Sequence, residues 1–264
     1  MRIALGIEYA GQAFEGWQTQ PHGRSVQDAM EAALRQIALE PVKLVCAGRT
    51  DAGVHASIQI AHFDTSARRP LEAWVRGANS HLPAGVSVLW AQEVDEDFHA
   101  RFSAVARHYR YILLNRRVRP ALLAGRVGWT HGQLDEEAML AAAACLPGEH
   151  DFTSFRAAQC QARSPIRLMH EVRVVRAGDF VIFDFHANAF LHHMIRNLVG
   201  SLIFVGKGRH PPEWMKEVLD ARDRRIAAPT FAPDGLYLCG VEYPGRWPLP
   251  GGGRIIAPPQ LLLV

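Results

Sequence analysis

The stretch Ala47-Gly48-Arg49-Thr50-Asp51-Ala52-Gly53-Val54-His55-Ala56 lies between two apolar runs, Val42 to Cys46 and Ile58 to Phe63. Runs of that length and composition read as β-strands. The residues between them read as a loop carrying a carboxylate, Asp51, two positions from a guanidinium, Arg49, with a glycine on either side. Glycine accepts backbone angles closed to other residues, so such a loop brings a carboxylate close to a ligand. The same pattern describes a tight surface turn with an exposed ion pair, and spacing alone does not separate the two.

Upstream of this loop, Ile3, Leu5, Ile7 and Tyr9 alternate with smaller or polar residues, which predicts a strand over Arg2 to Tyr9 with one buried face. Ser25 and Asp28 stand at capping-box spacing. Val26, Ala29, Met30, Ala33, Leu34 and Ile37 then fall on one face of a helix. Trp17 reads as a core residue. Downstream, Leu71 to Leu82 predicts a helix stopped by Pro83, and Val86 to Val94 a strand. Tyr109, Tyr111 and Leu113 alternate with His108, Arg110 and Ile112, a strand with tyrosines on one face. Leu134 to Leu146 is alanine-rich and reads as a helix.

The second half predicts strands over Ile166 to Arg176 and Phe180 to Asn188, with a hairpin turn at Ala177-Gly178-Asp179. Helices follow over Leu191 to Val205, closed by Gly206 and Gly208, and over Pro212 to Ala221. Gly235 to Tyr243 reads as a last strand. The two halves share a mixture of helices and antiparallel-looking strands. The expectation is an α+β chain of two similar lobes, mainly antiparallel sheet with helices on one face and a cleft between them. The expected boundaries are 1–114 for an N-terminal lobe with the aspartate loop and 115–147 for a connector with a helix. A C-terminal lobe spans 148–243, and a proline- and glycine-rich tail, extended or wrapping a partner, spans 244–264.

Bulk properties narrow the function classes. At 264 residues and 48% hydrophobic content the chain can build a substantial core. Its net charge of +3 is compatible with a polyanionic partner without requiring one. Cys46, Cys145, Cys160 and Cys239 are widely spaced, with no Cys-x-x-Cys, so neither a zinc knuckle nor a redox pair is expected and a reducing, cytoplasmic compartment is. An acid at Glu8 arrives too early for a signal-peptide core, and no run of 18 apolar residues predicts a membrane span. No P-loop, Gly-x-Gly-x-x-Gly or His-Glu-x-x-His occurs. His192 and His193 are adjacent in the helix reading and face different sides, a poor metal pair. His55 reads as a loop or packing histidine. Arg116, Arg117 and Arg119 read either as a solvated turn or as phosphate contacts, and the run Arg222, Arg224 and Arg225 as a solvated face.

The string Gly48-Arg49-Thr50-Asp51-Ala52-Gly53-Val54-His55 resembles the signature loop of the tRNA pseudouridine synthase A family. Further family-like strings follow the same order: Phe14-Glu15-Gly16-Trp17-Gln18, Phe98-His99-Ala100-Arg101-Phe102-Ser103, His108-Tyr109-Arg110-Tyr111, Asp151-Phe152-Thr153-Ser154-Phe155 and His192-His193-Met194-Ile195-Arg196-Asn197. The resemblance runs from about Ile3 to Tyr243 and fades in the tail.

It implies the pseudouridine synthase fold and isomerisation of uridine to pseudouridine at positions 38, 39 and 40 of the tRNA anticodon stem-loop. It also implies a homodimer, bases flipped out of the RNA, and neither cofactor nor metal. Asp51 matches the catalytic aspartate. Arg196 matches the arginine that pairs with it, Arg49 the arginine that meets the flipped nucleotide, and Tyr109 the tyrosine that stacks on the uracil. The competing reading is a catalytically silent RNA-binding or tRNA-folding protein on the same scaffold. An aspartic hydrolase fits poorly, because Asp51 is followed by Ala52-Gly53 and no partner motif appears.

Overall fold

A computed structural model describes residues 1–250 and resolves them into two compact units. The first comprises Met1–Arg107 together with the segment from Tyr237 onward, and the second runs from His108 to Leu236. Both mix sheet and helix, so the chain is of α+β class.

In the first unit, β1 (Arg2–Tyr9) leads through the loop of residues 10–25 to α1 (Val26–Ala38). The helix starts where the capping box predicts. Ser25 Oγ accepts from the Asp28 N–H at 3.0 Å, and Asp28 Oδ2 accepts from the Ser25 N–H at 3.1 Å. Leu39 ends it in the left-handed region at φ 58°. Of the run Val42 to Cys46, only β2 (Val45–Cys46) is strand, and β3 (His55–Asp64) begins inside the expected loop.

The predicted helix over Leu71 to Leu82 forms, but its middle is a π-helical turn at Ala73–Gly77, and regular α2 is confined to Ala78–His81. Trp74 is fully buried within that turn. Next, β4 (Val86–Val94) pairs with β1. Antiparallel partners flank β1 on both sides, Ile3 opposite Phe63 of β3 and Leu5 opposite Ala91 of β4. Its second face is buried too at Ala4 and Gly6. A Cβ on Gly6 would stand 2.2 Å from the Trp90 indole, so this tryptophan covers the face that alternation assigned to solvent.

In the second unit, β5 (Ala106–Asn115) enters from the boundary and pairs in parallel with β6 (Gly128–Thr130). Next come α3 (Glu136–Ala143), capped by the Asp135 side chain, and β7 (Gly148–Asp151). A long hairpin of β8 (Ile166–Ala177) and β9 (Phe180–Ala187) turns at Gly178, φ 57°. The strand order is β5-β9-β8-β7. Two helices complete the unit, α4 (Met194–Gly206) and α5 (Trp214–Ala221). Tyr111, Phe152, Phe155, Phe183, Leu198 and Leu202 are all fully buried.

The chain then re-enters the first unit as β10 (Leu236–Glu242), parallel to β3 with Tyr237 opposite His55. Trp247 and Leu249 remain buried beyond it, with the Trp247 ring 5.5 Å from Phe98. The start of the proline-rich segment therefore packs on the first unit, and its remainder, 251–264, lies outside the described residues. Among the described residues no helix is long and apolar enough to cross a membrane.

Candidate active site

The loop between β2 and β3 is built by backbone packing. A Cβ on Gly11 would sit 1.9 Å from the Val54 carbonyl oxygen, and one on Gly16 would sit 2.9 Å from the Thr50 carbonyl oxygen. Gly16 also has φ +87°, a conformation that side chains resist. These two glycines let the 10–25 loop lie directly on the aspartate loop. A hydrogen bond joins the two, the Trp17 N–H donating to the Thr50 carbonyl at 3.0 Å, and from β3 Gln59 Nε2 donates to the Gly48 carbonyl at 2.6 Å. The Asp51 carbonyl accepts from the Val54 N–H at 3.1 Å, closing a tight turn that Gly53, at φ +80°, completes.

Each side chain in the loop has a distinct environment. Thr50 is buried and shares a 2.8 Å hydrogen bond with the Tyr9 hydroxyl. Asp51 is half-buried and Arg49 exposed. His55 is not a loop residue. It opens β3, is buried, stacks on Tyr237 at 4.6 Å, and its Nδ1 accepts from the Gly11 N–H at 3.0 Å. That contact makes Nδ1 the unprotonated nitrogen of a neutral ring. Burial pushes the Cys46 thiol up to about 12, against the opposing pull of Arg49, so it is an inert neighbour rather than a nucleophile.

Arg107 ties this loop to a second one. Its Nη2 donates to the Ala47 carbonyl at 3.0 Å and to the Arg101 carbonyl at 2.8 Å. Its Nη1 donates to the Ala104 carbonyl at 3.2 Å. Arg107 and the two glycines are positioning residues that sequence reasoning passed over. Gly11 and Gly16 carried a legible signal as loop punctuation, whereas a strand arginine such as Arg107 carried none.

The other two candidates belong to the second unit. Tyr109 is buried on β5, its ring 5.1 Å from Phe190 edge-on. Arg196 lies in the first turn of α4, and its Nε donates to the Phe231 carbonyl at 2.8 Å while the Phe231 N–H donates back to the Arg196 carbonyl at 3.2 Å. Arg196 is thus held against the 231 segment by two hydrogen bonds.

His192 and His193 depart from the helical expectation. His193 precedes the helix in the left-handed conformation, φ 61°, which brings the two rings to 4.0 Å. Asn197, one turn further on, is fully buried. Its Nδ2 donates to the Phe155 carbonyl at 2.8 Å, and its Oδ1 accepts from Thr230 Oγ1 at 2.7 Å and Arg224 Nη2 at 3.0 Å.

The arginine runs resolve into separate roles. Arg224 is a structural partner of Asn197, and Arg225 is paired with Asp223, so Arg222, Arg224 and Arg225 are not one solvated face. Arg116, Arg117 and Arg119 are exposed. With Asn115, Gln133 and Arg176, the first two line an open recess of about 610 Å³ that holds none of the candidate residues.

Comparison with known proteins bears on the same residues. The profile of a family described as tRNA pseudouridine synthase matches residues 6–103 and 142–244, spans that contain Asp51 and Arg196. A tRNA pseudouridine synthase A of Aromatoleum aromaticum is 66% identical over 264 residues, covering 100% of both chains. Relatives of the same name from Dechloromonas aromatica and Thiobacillus denitrificans are 60% and 58% identical over 250 residues. They cover 95% of this chain and 95% and 96% of their own lengths.

Proposed function

From the premise that this chain belongs to the tRNA pseudouridine synthase family, and is an isomerase that forms pseudouridine in tRNA, we propose that Asp51 is its reactive carboxylate. The targets we propose are uridines 38, 39 and 40 of the anticodon stem-loop. The reaction breaks the bond between ribose C1′ and uracil N1, turns the base, and joins C1′ to C5. The C5 proton leaves and N1 takes one up, so the balance involves neither redox change nor water. One carboxylate acting as nucleophile or base suffices, within a site that holds the detached uracil.

The observation that supports this best is the seating of the aspartate loop. Gly11 and Gly16 press backbone against backbone, and Thr50, next to Asp51, is pinned by Tyr9 while Arg49 before it is exposed. A surface turn needs no such support; a carboxylate that must meet a ribose at a fixed position does. An ordinary Asp is ionised at neutral pH, near ~3.9, and burial under substrate raises that value unless a cation stands by.

Arg196 is the cation we propose. Arg49 meets the extruded nucleotide, whose removal from the stack costs a few kcal/mol. Tyr109 stacks on the uracil, a role that needs no change in its protonation. The enzyme acts as a cytoplasmic homodimer with tRNA spanning both subunits, an expectation that light scattering at micromolar concentration checks.

The deciding experiment incubates an unmodified transcript, with uridines at 38, 39 and 40, with the wild-type chain and with Asp51→Asn, without added metal or cofactor. Carbodiimide labelling and primer extension map the product. Stops in the anticodon arm with wild type alone support the assignment. Stops elsewhere keep the chemistry and overturn the target. Stops with Asp51→Asn overturn the role of Asp51. No stops with either protein, when both bind the transcript, favour the silent RNA-binding reading.

A further inference from the structure

The string Phe98-His99-Ala100-Arg101-Phe102-Ser103 has no part in the chemistry above, yet it is a turn held by several hydrogen bonds. Phe98 and Ala100 are fully buried beneath it. The Ala100 N–H donates to His62 Nδ1 at 3.1 Å, and the Ala100 carbonyl accepts from the Tyr243 hydroxyl at 2.6 Å. His99 Nδ1 accepts from the N–H groups of both Arg101 and Phe102, at 3.2 and 3.1 Å. Ser103 closes the turn, its N–H donating to the His99 carbonyl at 2.8 Å and its Oγ accepting from the His99 N–H at 3.0 Å.

What this scaffold presents is unusual for a surface. Phe102 is 76% exposed, with the His99 ring stacked behind it at 4.4 Å and 28°. The exposed Arg101 guanidinium lies 5.5 Å from the Phe102 ring centroid, near the outer limit of a cation–π contact, so it reaches away at small cost. A rigid aromatic face beside a cation suits a nucleotide, since every base has a π-face and every phosphate a charge. Arg107 fixes this turn to the aspartate loop through the Arg101 and Ala47 carbonyls. The turn that carries the ring and the base of the Arg101 side chain is therefore tied to the loop of Asp51 before any RNA arrives, which spares part of the ordering cost of binding.

We propose that Arg101 and Phe102 form a nucleotide subsite of the enzyme, in which an unpaired tRNA base stacks on Phe102 and a neighbouring phosphate meets Arg101. The subsite rests on the tRNA-modifying function stated above and extends it to a second point of contact. Arg107 is its positioning residue.

The test uses the full chain and an unmodified tRNA transcript. Equilibrium filter binding across a salt series is paired with single-turnover pseudouridine formation and with light scattering. Phe102→Ala is expected to raise Kd and KM about five- to a hundredfold, the range for loss of one base–aromatic stack. The single-turnover rate at saturating enzyme stays unchanged, and Phe102→Trp restores affinity. Arg101→Ala weakens binding and lowers the salt slope by about one, as loss of one phosphate contact requires.

Wild-type affinity in Phe102→Ala overturns the subsite. So does an affinity loss that accompanies a fall in scattering mass, which would make the ring a subunit contact. A wild-type chain that makes no pseudouridine defeats the functional reading itself. A wild-type chain that reacts, with Phe102→Ala indistinguishable from it, defeats the subsite alone.

Discussion

The hydroxyls of Tyr9 and Thr50 lie 2.8 Å apart in the interior of the first unit, joining the end of β1 to the residue before Asp51. Gln59 Nε2 also donates to the same phenol oxygen, at 3.4 Å. Tyr9→Phe removes the phenol and leaves the buried Thr50 hydroxyl without that partner, at about 1–2 kcal/mol of stability. The expected kinetic result is a fall in kcat of about tenfold or more with little change in KM, because displacing a reactive group costs rate rather than affinity. Thr50→Ser, which keeps the hydroxyl, should retain most activity. Equal kcat in Tyr9→Phe and wild type would show that the hydrogen bond holds nothing the reaction needs.

Gly11→Ala tests the backbone seating. Its new Cβ would have to occupy a point 1.9 Å from the Val54 carbonyl oxygen, far inside van der Waals contact, and the obstacle is main chain rather than a movable side chain. The loops must separate, and activity should drop at least a hundredfold while far-UV circular dichroism stays native. The comparison is Gly23→Ala, where nothing lies within 4 Å of the new Cβ; its positive φ adds a small strain, and activity should remain. Full activity in Gly11→Ala would mean the aspartate loop tolerates displacement.

His62 should give the fold an acid-sensitive component. Burial holds its pKa near about 4, below the usual 6.5, and Arg2 and His99 push the same way. Its Nδ1 must stay unprotonated to accept from Ala100. An unfolded chain therefore takes up a proton as pH falls below 6.5, while the folded chain resists until about 4. The contribution is complete above about 6.5 and declines through that window. Urea titrations at pH 7 and pH 5 should show a larger stability difference for wild type than for His62→Gln, which binds no proton. Equal differences would place His62 outside the acid response.

Much of this architecture was legible in the sequence, and the failures have physical causes. Capping and alternation placed α1 and β4 because both are local signals. The burial of Ala4 and Gly6 on the second face of β1 was hidden because they carry little hydrophobic weight; Trp90 lies directly against Gly6. The π-helical turn at Ala73–Gly77 is invisible to a 3.6-residue period. The pairing of β10 with β3 joins residues as far apart as Ala56 and Leu238, and no periodicity encodes a contact at that separation. At the candidate site, motifs pointed to the side chains that we propose carry the chemistry. The groups that hold them, Tyr9, Arg107 and Asn197, act through buried hydrogen bonds, which leave no sequence period.

Asn197 offers the sharpest test of that last point. Its amide satisfies three groups at once: the Phe155 carbonyl, the Thr230 hydroxyl and Arg224. Thr230 precedes Phe231, whose carbonyl and N–H both bond to Arg196. Removing the amide should therefore loosen the 230–231 segment and, with it, the proposed partner of Asp51. Asn197→Ala leaves buried polar groups unpaired, and an unfolding cost of about 3 kcal/mol is expected. Asn197→Asp keeps the acceptor for Thr230 and Arg224 and loses only the donor to Phe155, so its cost should be smaller.

The decisive readout is the rate, measured well below each variant's melting temperature. If Asn197 positions Arg196, kcat falls in the order wild type, Asn197→Asp, Asn197→Ala, and combining Asn197→Ala with Arg196→Ala costs little more than Arg196→Ala alone, since residues acting as a unit are not additive. If Asn197 serves stability only, the melting temperatures follow that order while kcat does not.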